Sequence, residues 1–465
     1  MITKIEIDGF KTFTNFQIEF APLTIIAGTN GSGKTNLFDA MQLLSRIVDV
    51  DLKTVFSEQR GNASELFTQY DNNSTASEMA FAVELLVDKN VKDKFGGTAL
   101  LKYTRLRYEI KVRRILNERG VQDLVIVSES LNPIRHDEDK WIGIYIQKQV
   151  VEKWRPKVVT VKKEVVYIDT YKDRGNLRQD GKGGIKKKFS LKNNKQTILS
   201  EVNSVDFPHA LAAKEEIKSW RLLQLNPEDL RQPGSYLSKD SIAHTGQNLA
   251  AAVHRIKNED PVLLKQIARR LNALLPGITS VDVVDDKVGK QFVLQVGTQG
   301  GKVFTSRVLS EGTLRLLTLC VFLYDKDYKG LLCFEEPENS VHPARMKLTA
   351  GLLVDLVTHF ENDEDHELSQ VIVNTHSPVL VGETFKLMSQ NIYRIWFSQL
   401  VTHIAILGGG KQKIQVTKML PVVKGTTQLT INFSENERKL TLNTIVDYLQ
   451  NADFDHEIET IKTIE

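Results

Sequence analysis

Apolar and polar positions recur at two periods along this chain, and the switches between them mark its elements. Ile2–Ile7 and Phe16–Phe20 read as strands, and the short apolar run Leu23–Ala27 predicts a central strand. A glycine-rich turn follows, then a helical pattern from about Lys34 to Val48. From Glu78 to about Ile168 the segments MAFAVELLV, LKYTRLRYEIKV, DLVIVSESL, IGIYIQK and KEVVYID predict strands. Residues 169–195 hold glycines, lysines and asparagines with few apolar positions, which predicts a loop. Residues 197–275 are mainly helical in period, broken at Pro227, Pro233 and Pro261. VDVVDD and KQFVLQV then predict two strands, followed by a helix over Gly312–Tyr324. An apolar strand that turns acidic comes next, then a helix near Ala344–Thr358, a strand VIVNT, a hairpin-like pair and a short acidic helix. Strands alternate with helices at both ends, and the middle looks inserted. The expectation is one α/β head split in sequence, residues 1–90 and 301–465, around a β-rich and helical insertion over 91–300.

Composition narrows the compartment more than the function. With 41% hydrophobic and 26% charged residues the profile is that of a globular protein. The two cysteines, Cys320 and Cys333, sit in apolar runs and read as reduced core residues, so a cytoplasmic location is expected. The opening MITKIEIDGF alternates like a strand rather than forming a signal-peptide core, and no apolar run is long enough to span a bilayer. No membrane role is expected. The formal net charge is only +3, but 14 Lys and Arg against 4 Asp and Glu give residues 153–195 a net of +10. Residues 433–465 carry 8 acids and 3 bases. That asymmetry bears on partners.

The chemistry concentrates in a few short stretches. GTNGSGKT at Gly28–Thr35 fits G-x-x-x-x-G-K-[ST], follows an apolar strand and opens a helix. Gly28, Gly31 and Gly33 let backbone N–H groups of the loop, Asn30 and Ser32 included, turn toward phosphate oxygens, and the helix start through Asn36 adds its partial positive charge. Lys34 is expected on the β- and γ-phosphates of ATP and the Thr35 hydroxyl on Mg²⁺. LLCFEEPENSVHP at Leu331–Pro343 ends a buried strand in adjacent like charges, which need a cation between them. Glu335 is expected to hold Mg²⁺, directly or through water, and Glu336 to orient the attacking water. In VLSEGTLRLL, Ser310 and Gly312 stand just before an apolar helix, with Ser310 as N-cap. In VIVNTHSPVL a buried strand ends in Thr375, His376 and Ser377, which makes His376 a candidate γ-phosphate sensor.

The set GTNGSGKT, LSEGT, FEEPENSVHP and NTHSP, with IDGFKTF at Ile7–Phe13, resembles the ABC-class ATPase heads of the RecF, SMC and OLD kind. It is most similar to the short bacterial AAA-type ATPases with LSEGT and EEPE signatures found in phage-defence and repair loci. The resemblance covers roughly residues 1–85 and 305–400. It implies a P-loop NTPase head of ABC type, and a head-to-tail homodimer or higher homo-oligomer with ATP sandwiched at the interface. Ser310 and Gly312 of one subunit would then meet the γ-phosphate held by Lys34 of the other. It further implies His376 as the switch histidine, a D-loop near Glu338–Ser340, and a Q-loop glutamine on Mg²⁺. Gln69 in ELFTQYDN is the choice for that glutamine, with Gln59 as the alternative. The signature reads SEGT rather than SGGQ and the first strand-end carboxylate is Glu rather than Asp; both departures fit the short defence-type family.

Two absences shape the functional expectation. The 89 residues after His376 in this chain of 465 show no paired acidic cluster of the kind a Toprim nuclease carries, and no long coiled coil is present. A motor or sensor without its own effector is expected. The first function considered is the ATPase subunit of a bacterial DNA-directed defence or repair complex with a separate nuclease partner, the basic stretch 153–195 contacting DNA phosphates. The same stretch also reads as a solvated surface. The second is an ATP-gated scaffold that restrains a protein effector or toxin without touching DNA, its acidic C-terminal segment serving as a docking surface. A transporter ATPase is disfavoured by the large insertion and the SEGT signature.

Overall fold

A computed structural model describes residues 1–422 apart from 60, 71–73, 117–119, 121, 158–164, 180–183, 327, 329, 362–366, 387–391 and 408–409. The run Leu23–Ala27 is buried at every position and sits inside a six-stranded sheet. Across that sheet the order is Arg221–Leu223, Gly330–Glu335, Ser369–Thr375, Leu23–Ala27, Tyr393–Leu407 and Gly410–Val422. The first five strands are parallel, and the last turns back antiparallel. Parallel strands covered on both faces need near-continuous apolar sequence, which is why LLCF and VIV carry no alternation. Ala27 pairs with Thr375, and Asn374 pairs with both Ile26 and Glu335. The three strands that carry the conspicuous motifs therefore finish in one row at one edge of the sheet.

The second sheet has eight antiparallel strands, in the order Lys186–Ser190, Arg174–Arg178, Ile168–Tyr171, Gln122–Pro133, Arg105–Leu116, Glu78–Leu86, Ile2–Asp8 and Phe16–Glu19. It runs across the boundary expected at residue 90. Three of its strands come from the N-terminal part and five from the segment expected as an insertion. The helix Lys34–Ile47 links the two sheets. Its Leu37, Phe38, Met41 and Leu44 share one apolar core with Ile5, Phe81 and Ile110 of the antiparallel sheet and with Ile26, Cys333 and Ile372 of the parallel one. The opposite face of the parallel sheet, through Ile25, Leu332, Phe334 and Val373, shares a second core with Val253, Ile267, Leu317 and Leu353, which come from four helices. Both cysteines are buried and free. No helix among the described residues is long and apolar enough to cross a membrane.

Two expectations are corrected. Residues 169–195 are not a loop: Ile168–Tyr171, Arg174–Arg178 and Lys186–Ser190 form the outer edge of the antiparallel sheet. Arg174–Arg178 buries only Gly175 and Leu177, and on the outermost strand Lys186, Lys187 and Lys188 are the kind of charge that keeps an open edge from pairing further. IGIYIQK is not a strand either. Asp139 accepts from Ile142 N and starts the helix Lys140–Tyr145, whose Trp141, Ile142 and Tyr145 share one buried face at helical spacing. The helical region 197–275 is interrupted at Pro227 and Pro261 as expected, each proline taking the first position of a new helix, as Pro208 also does. The short acidic helix expected near the C-terminus lies outside the described residues.

The polar face of the antiparallel sheet is cross-linked by Arg107, which reaches Glu6 at 2.7 Å, Glu109 at 2.6 Å and Glu84 at 3.3 Å. Burial works to raise the Glu6 pKa, but hydrogen bonds from Arg107 and Lys4 more than offset it and bring it down to about 2. A depressed carboxylate contributes stability that is present above its unfolded pKa and lost as pH falls toward the folded value. Arg107→Met is therefore expected to lower the unfolding free energy by about 1–2 kcal/mol at neutral pH, a modest figure because the pair is partly open to water. Urea denaturation at pH 7 and near pH 3 tests this: the difference from the unmodified protein should shrink at the lower pH. An equal deficit at both would assign it to packing.

Candidate functional site

The loop Gly28–Gly33 leaves the central strand and enters the helix Lys34–Ile47 through Gly33, whose φ of 90° is in the left-handed region. Two glycines are required by close approach. A Cβ on Gly28 would stand 2.4 Å from the Ser398 carbonyl oxygen, and one on Gly33 would stand 1.9 Å from Thr417 Oγ1. The loop is thus backed by the hairpin Tyr393–Leu407 and Gly410–Val422. Ser398 Oγ donates to Ser32 O at 2.8 Å. Thr417 Oγ1 lies 2.7 Å from Thr12 Oγ1, which accepts from Asn36 Nδ2 at 2.8 Å. Asn30, Gly31 and Thr35 are exposed.

Lys34 folds back into this loop. Its Nζ donates to Gly28 O at 2.7 Å and Thr29 O at 2.8 Å, and the residue is only 6% exposed. Burial lowers the ammonium pKa, while the charges of Glu336, Glu338 and Glu335, in that order, work against the lowering. Two strands away in the sheet, Glu335 ends its strand level with Asn374. Glu336 then adopts φ 49°, a conformation that costs a non-glycine residue about 1–3 kcal/mol. Hydrogen bonds hold it there. Its N–H donates to Asn374 O at 2.8 Å, and its carboxylate meets Asn339 Nδ2 at 2.7 Å and His376 Nδ1 at 3.1 Å. Asn374 Nδ2 in turn reaches Thr35 Oγ1 at 3.5 Å.

The arrangement suits a nucleotide with a small divalent ion. Ser32 Oγ and Asn374 Oδ1 are buried with no hydrogen-bond partner among the described residues, and both belong to the loop and strand end where phosphate would lie. The oxygen donors at hand, a threonine hydroxyl and carboxylates, are those a hard cation takes. Among the described residues no group of three or more His, Cys, Asp or Glu could hold a metal ion. A bound ion would accordingly complete its shell with phosphate and water, as Mg²⁺ ordinarily does.

Ser310 is the N-cap of the helix Glu311–Tyr324 and accepts from Thr313 N at 3.3 Å. Gly312 packs against the backbone of Ser340, where a Cβ would come to 2.3 Å of the carbonyl oxygen. The two candidate glutamines are placed differently. Gln69 bridges to Thr75, in a segment that hydrogen-bonds to Gly9 and Lys11 beside the start of the first helix. Gln59 follows the helix Leu52–Ser57, next to Glu58, which pairs with Arg46 in the last turn of the first helix. At 1.5 Å rise per residue Arg46 is roughly 18 Å from Lys34.

Sequence reasoning left Asn374, Asn339, Ser398 and Thr417 without a role. Asn374 had a signal, a polar residue inside the apolar run VIVNT. Ser398 and Thr417 had none, because only the fold carries them to the phosphate loop from the far end of the chain.

The model of a family described as an AAA domain matches residues 4–273. A second AAA domain model, whose description names an AbiEii toxin and a Type IV TA system, matches residues 168–382. No curated protein matches the sequence. Solved structures similar to this chain include an SMC head bound to the C-winged helix domain of ScpA, 15% identical over 90% of this chain and 98% of the other, with a TM-score of 0.47. The SMC head domain from Thermotoga maritima is 13% identical over 91% of this chain and 99% of its own, with a TM-score of 0.36. An Smc head with an extended coiled coil, bound to the C-terminal domain of ScpA and derived from Pyrococcus furiosus, is 13% identical over 90% and 96%, with a TM-score of 0.41. Because the model over residues 4–273 takes in more than half of the chain, phosphate loop included, this protein belongs to the AAA domain family and is a P-loop ATPase.

Proposed function

We propose that this ATPase is the nucleotide-driven subunit of a bacterial DNA-directed defence or repair complex, closing as an ATP-sandwich dimer and controlling a separate nuclease or other effector. The observation that carries the catalytic part is the row of strand ends that brings Lys34 and Thr35, Glu335 and Glu336, and Asn374 and His376 to one edge of the sheet. In this reading Gly28–Asn36 cradles the phosphates with backbone N–H groups and Lys34 neutralises the β- and γ-phosphate charge. Thr35, Glu335 and Gln69 would hold Mg²⁺, which neutralises phosphate charge when bound. Glu336, held by Asn339 and His376, orients water and takes its proton. His376 meets Glu336 through Nδ1 and would act as the switch histidine beside the γ-phosphate. Ser310 and Gly312 would complete the site on a second copy.

DNA contact is assigned to the basic edge strand. Lys186, Lys187 and Lys188 are all exposed, and an unpaired edge of like charge is a surface for phosphate. The second reading, an ATP-gated scaffold restraining a toxin, draws support from the match over residues 168–382 to the model described with AbiEii and a Type IV TA system. The acidic segment 433–465, invoked there as a docking surface, lies outside the described residues. Salt-dependent DNA binding by the purified protein separates the two.

Three outcomes test the proposal. Lys34→Ala should abolish nucleotide binding or hydrolysis, whereas Glu336→Gln should bind ATP and turn over at least roughly a hundredfold more slowly. A dimer accumulating with ATP should then be visible by light scattering. Normal hydrolysis by Glu336→Gln with loss in Glu335→Gln would reverse the two roles. The triple change Lys186→Glu, Lys187→Glu and Lys188→Glu should weaken DNA binding and flatten its logarithmic salt dependence by about 0.9 for each phosphate no longer neutralised. Unchanged affinity at two salt concentrations would make the strand a solvated edge. Ser310→Arg should bind ATP but fail to dimerise, and mixing it with Lys34→Ala should recover activity at the one intact composite site. Wild-type hydrolysis by a Ser310→Arg monomer would end the sandwich.

A further inference from the structure

Glu338 is the charged group at this site for which the mechanism above has no use. It is 7% exposed, deeper than Glu336, yet it stands two residues beyond it in the same turn. Its Oε1 accepts from the Thr375 hydroxyl at 2.5 Å and from the His376 backbone N–H at 3.3 Å. Thr375 Oγ1 in turn accepts from Ser377 N at 3.0 Å. The other carboxylate oxygen is buried without a hydrogen-bond partner among the described residues. A buried carboxylate is expensive unless its hydrogen bonds are essential to what surrounds it. What surrounds it is the end of the strand Ser369–Thr375, from which His376 projects.

We propose that Glu338 is a positioning residue. It clamps the Thr375–Ser377 backbone to the carboxylate turn, and so sets the His376 ring against Glu336 while touching neither water nor nucleotide itself. Two distances support this. His376 Nδ1 lies 3.1 Å from Glu336 Oε1 but 3.8 Å from Glu338 Oε1, so the ring hydrogen bond goes to Glu336 and only the backbone hydrogen bond goes to Glu338. The clamp joins two turns that share no strand pairing beyond Glu335 and Asn374. Beyond it, the turn at Glu336 meets this strand end through the Glu336 N–H bond to Asn374 O and the ring hydrogen bond itself. An alternative role is direct: Glu338 also ranks second among the charges acting on Lys34, and could serve to hold that ammonium in place. The two roles differ in what they change. Misplacing His376 lowers turnover, whereas freeing Lys34 alters ATP affinity.

This inference rests on the reading of Glu336 and His376 given above, and the test keeps the two apart. Glu338→Leu, which removes the acceptor, Thr375→Val and the double variant are compared for ATP affinity, measured by a fluorescent nucleotide at equilibrium, and for kcat. Each single variant is expected to bind ATP within about twofold of the unmodified protein and to lose roughly ten- to a hundredfold in kcat, the scale of a misplaced catalytic group. The double variant should lose no more than the worse single one, because both remove the same clamp. Thr375→Ser and Glu338→Gln, which keep the hydroxyl and the acceptor oxygen, should retain turnover and guard against a Glu338→Leu chain that fails to fold. Unchanged kcat in a folded Glu338→Leu, or a loss of ATP affinity with kcat retained, overturns the positioning role. So does strict additivity in the double variant. If instead His376→Ala and Glu336→Gln both hydrolyse ATP normally, the underlying reading fails, whatever Glu338 does.

Discussion

A single buried ammonium faces three carboxylates at the edge of the parallel sheet, and the geometry of the site follows from keeping that cluster tolerable. Lys34 is held by two carbonyl oxygens of its own loop, with Glu336, Glu338 and Glu335 acting on it from the neighbouring strand ends. Like charges this close are costly unless each is separately satisfied. Glu336 is held by Asn339 and His376, and one oxygen of Glu338 by Thr375 and the His376 backbone, while its other oxygen is buried without a hydrogen-bond partner among the described residues. The left-handed backbone at Glu336 turns its carboxylate toward one set of donors while Glu338, two residues on, turns inward to another. One ammonium against three acidic groups leaves the cluster short of positive charge.

The phosphate loop is also built from behind. Gly28 and Gly33 are flush against Ser398 and Thr417, and Ser398 fixes Ser32 O. The antiparallel hairpin that supplies those residues is the continuation of a strand parallel to Leu23–Ala27, paired as far as Phe397 with Ala27. It therefore passes beside the loop because the register carries it there. The same Thr417 reaches Thr12 and through it Asn36 on the first helix. Loop, helix start and hairpin consequently form one hydrogen-bonded unit drawn from residues 12 to 417.

What could be read from the sequence followed from how locally each feature is encoded. The parallel core was legible because burial on both faces writes an unbroken apolar run, as in Leu331–Phe334 and Val371–Val373. The phosphate loop, the strand-end acids and His376 were legible because each motif is contiguous, and the row they form needed only strand order. The edge strands over 168–190 were not, since a strand that buries one residue in two among lysines has the composition of a loop. The helix Lys140–Tyr145 escapes the pattern because isoleucines favour strands, while Trp141 and Tyr145 have a core of their own with Phe360 and Trp154. The backing of the phosphate loop by Thr417 is a tertiary fact with no local pattern.

The start of the helix Glu311–Tyr324 is joined to the carboxylate turn as tightly as the phosphate loop is joined to the hairpin. Gly312 leaves no room between its Cα and Ser340 O, and the Glu311 carboxylate, which burial would raise, is held below the usual range by Ser340 and Arg315. Arg315 also donates to Leu225 O at 2.9 Å, two residues beyond the edge strand Arg221–Leu223. Ser340 lies four residues after Glu336 and, like it, has a positive φ, 59°. A displacement of the turn at Glu336 therefore moves Ser340, and Ser340 cannot move without Gly312 and the N-cap at Ser310. The carboxylate turn Glu336–Ser340 and the start of the helix Glu311–Tyr324 are thus parts of a single packed piece.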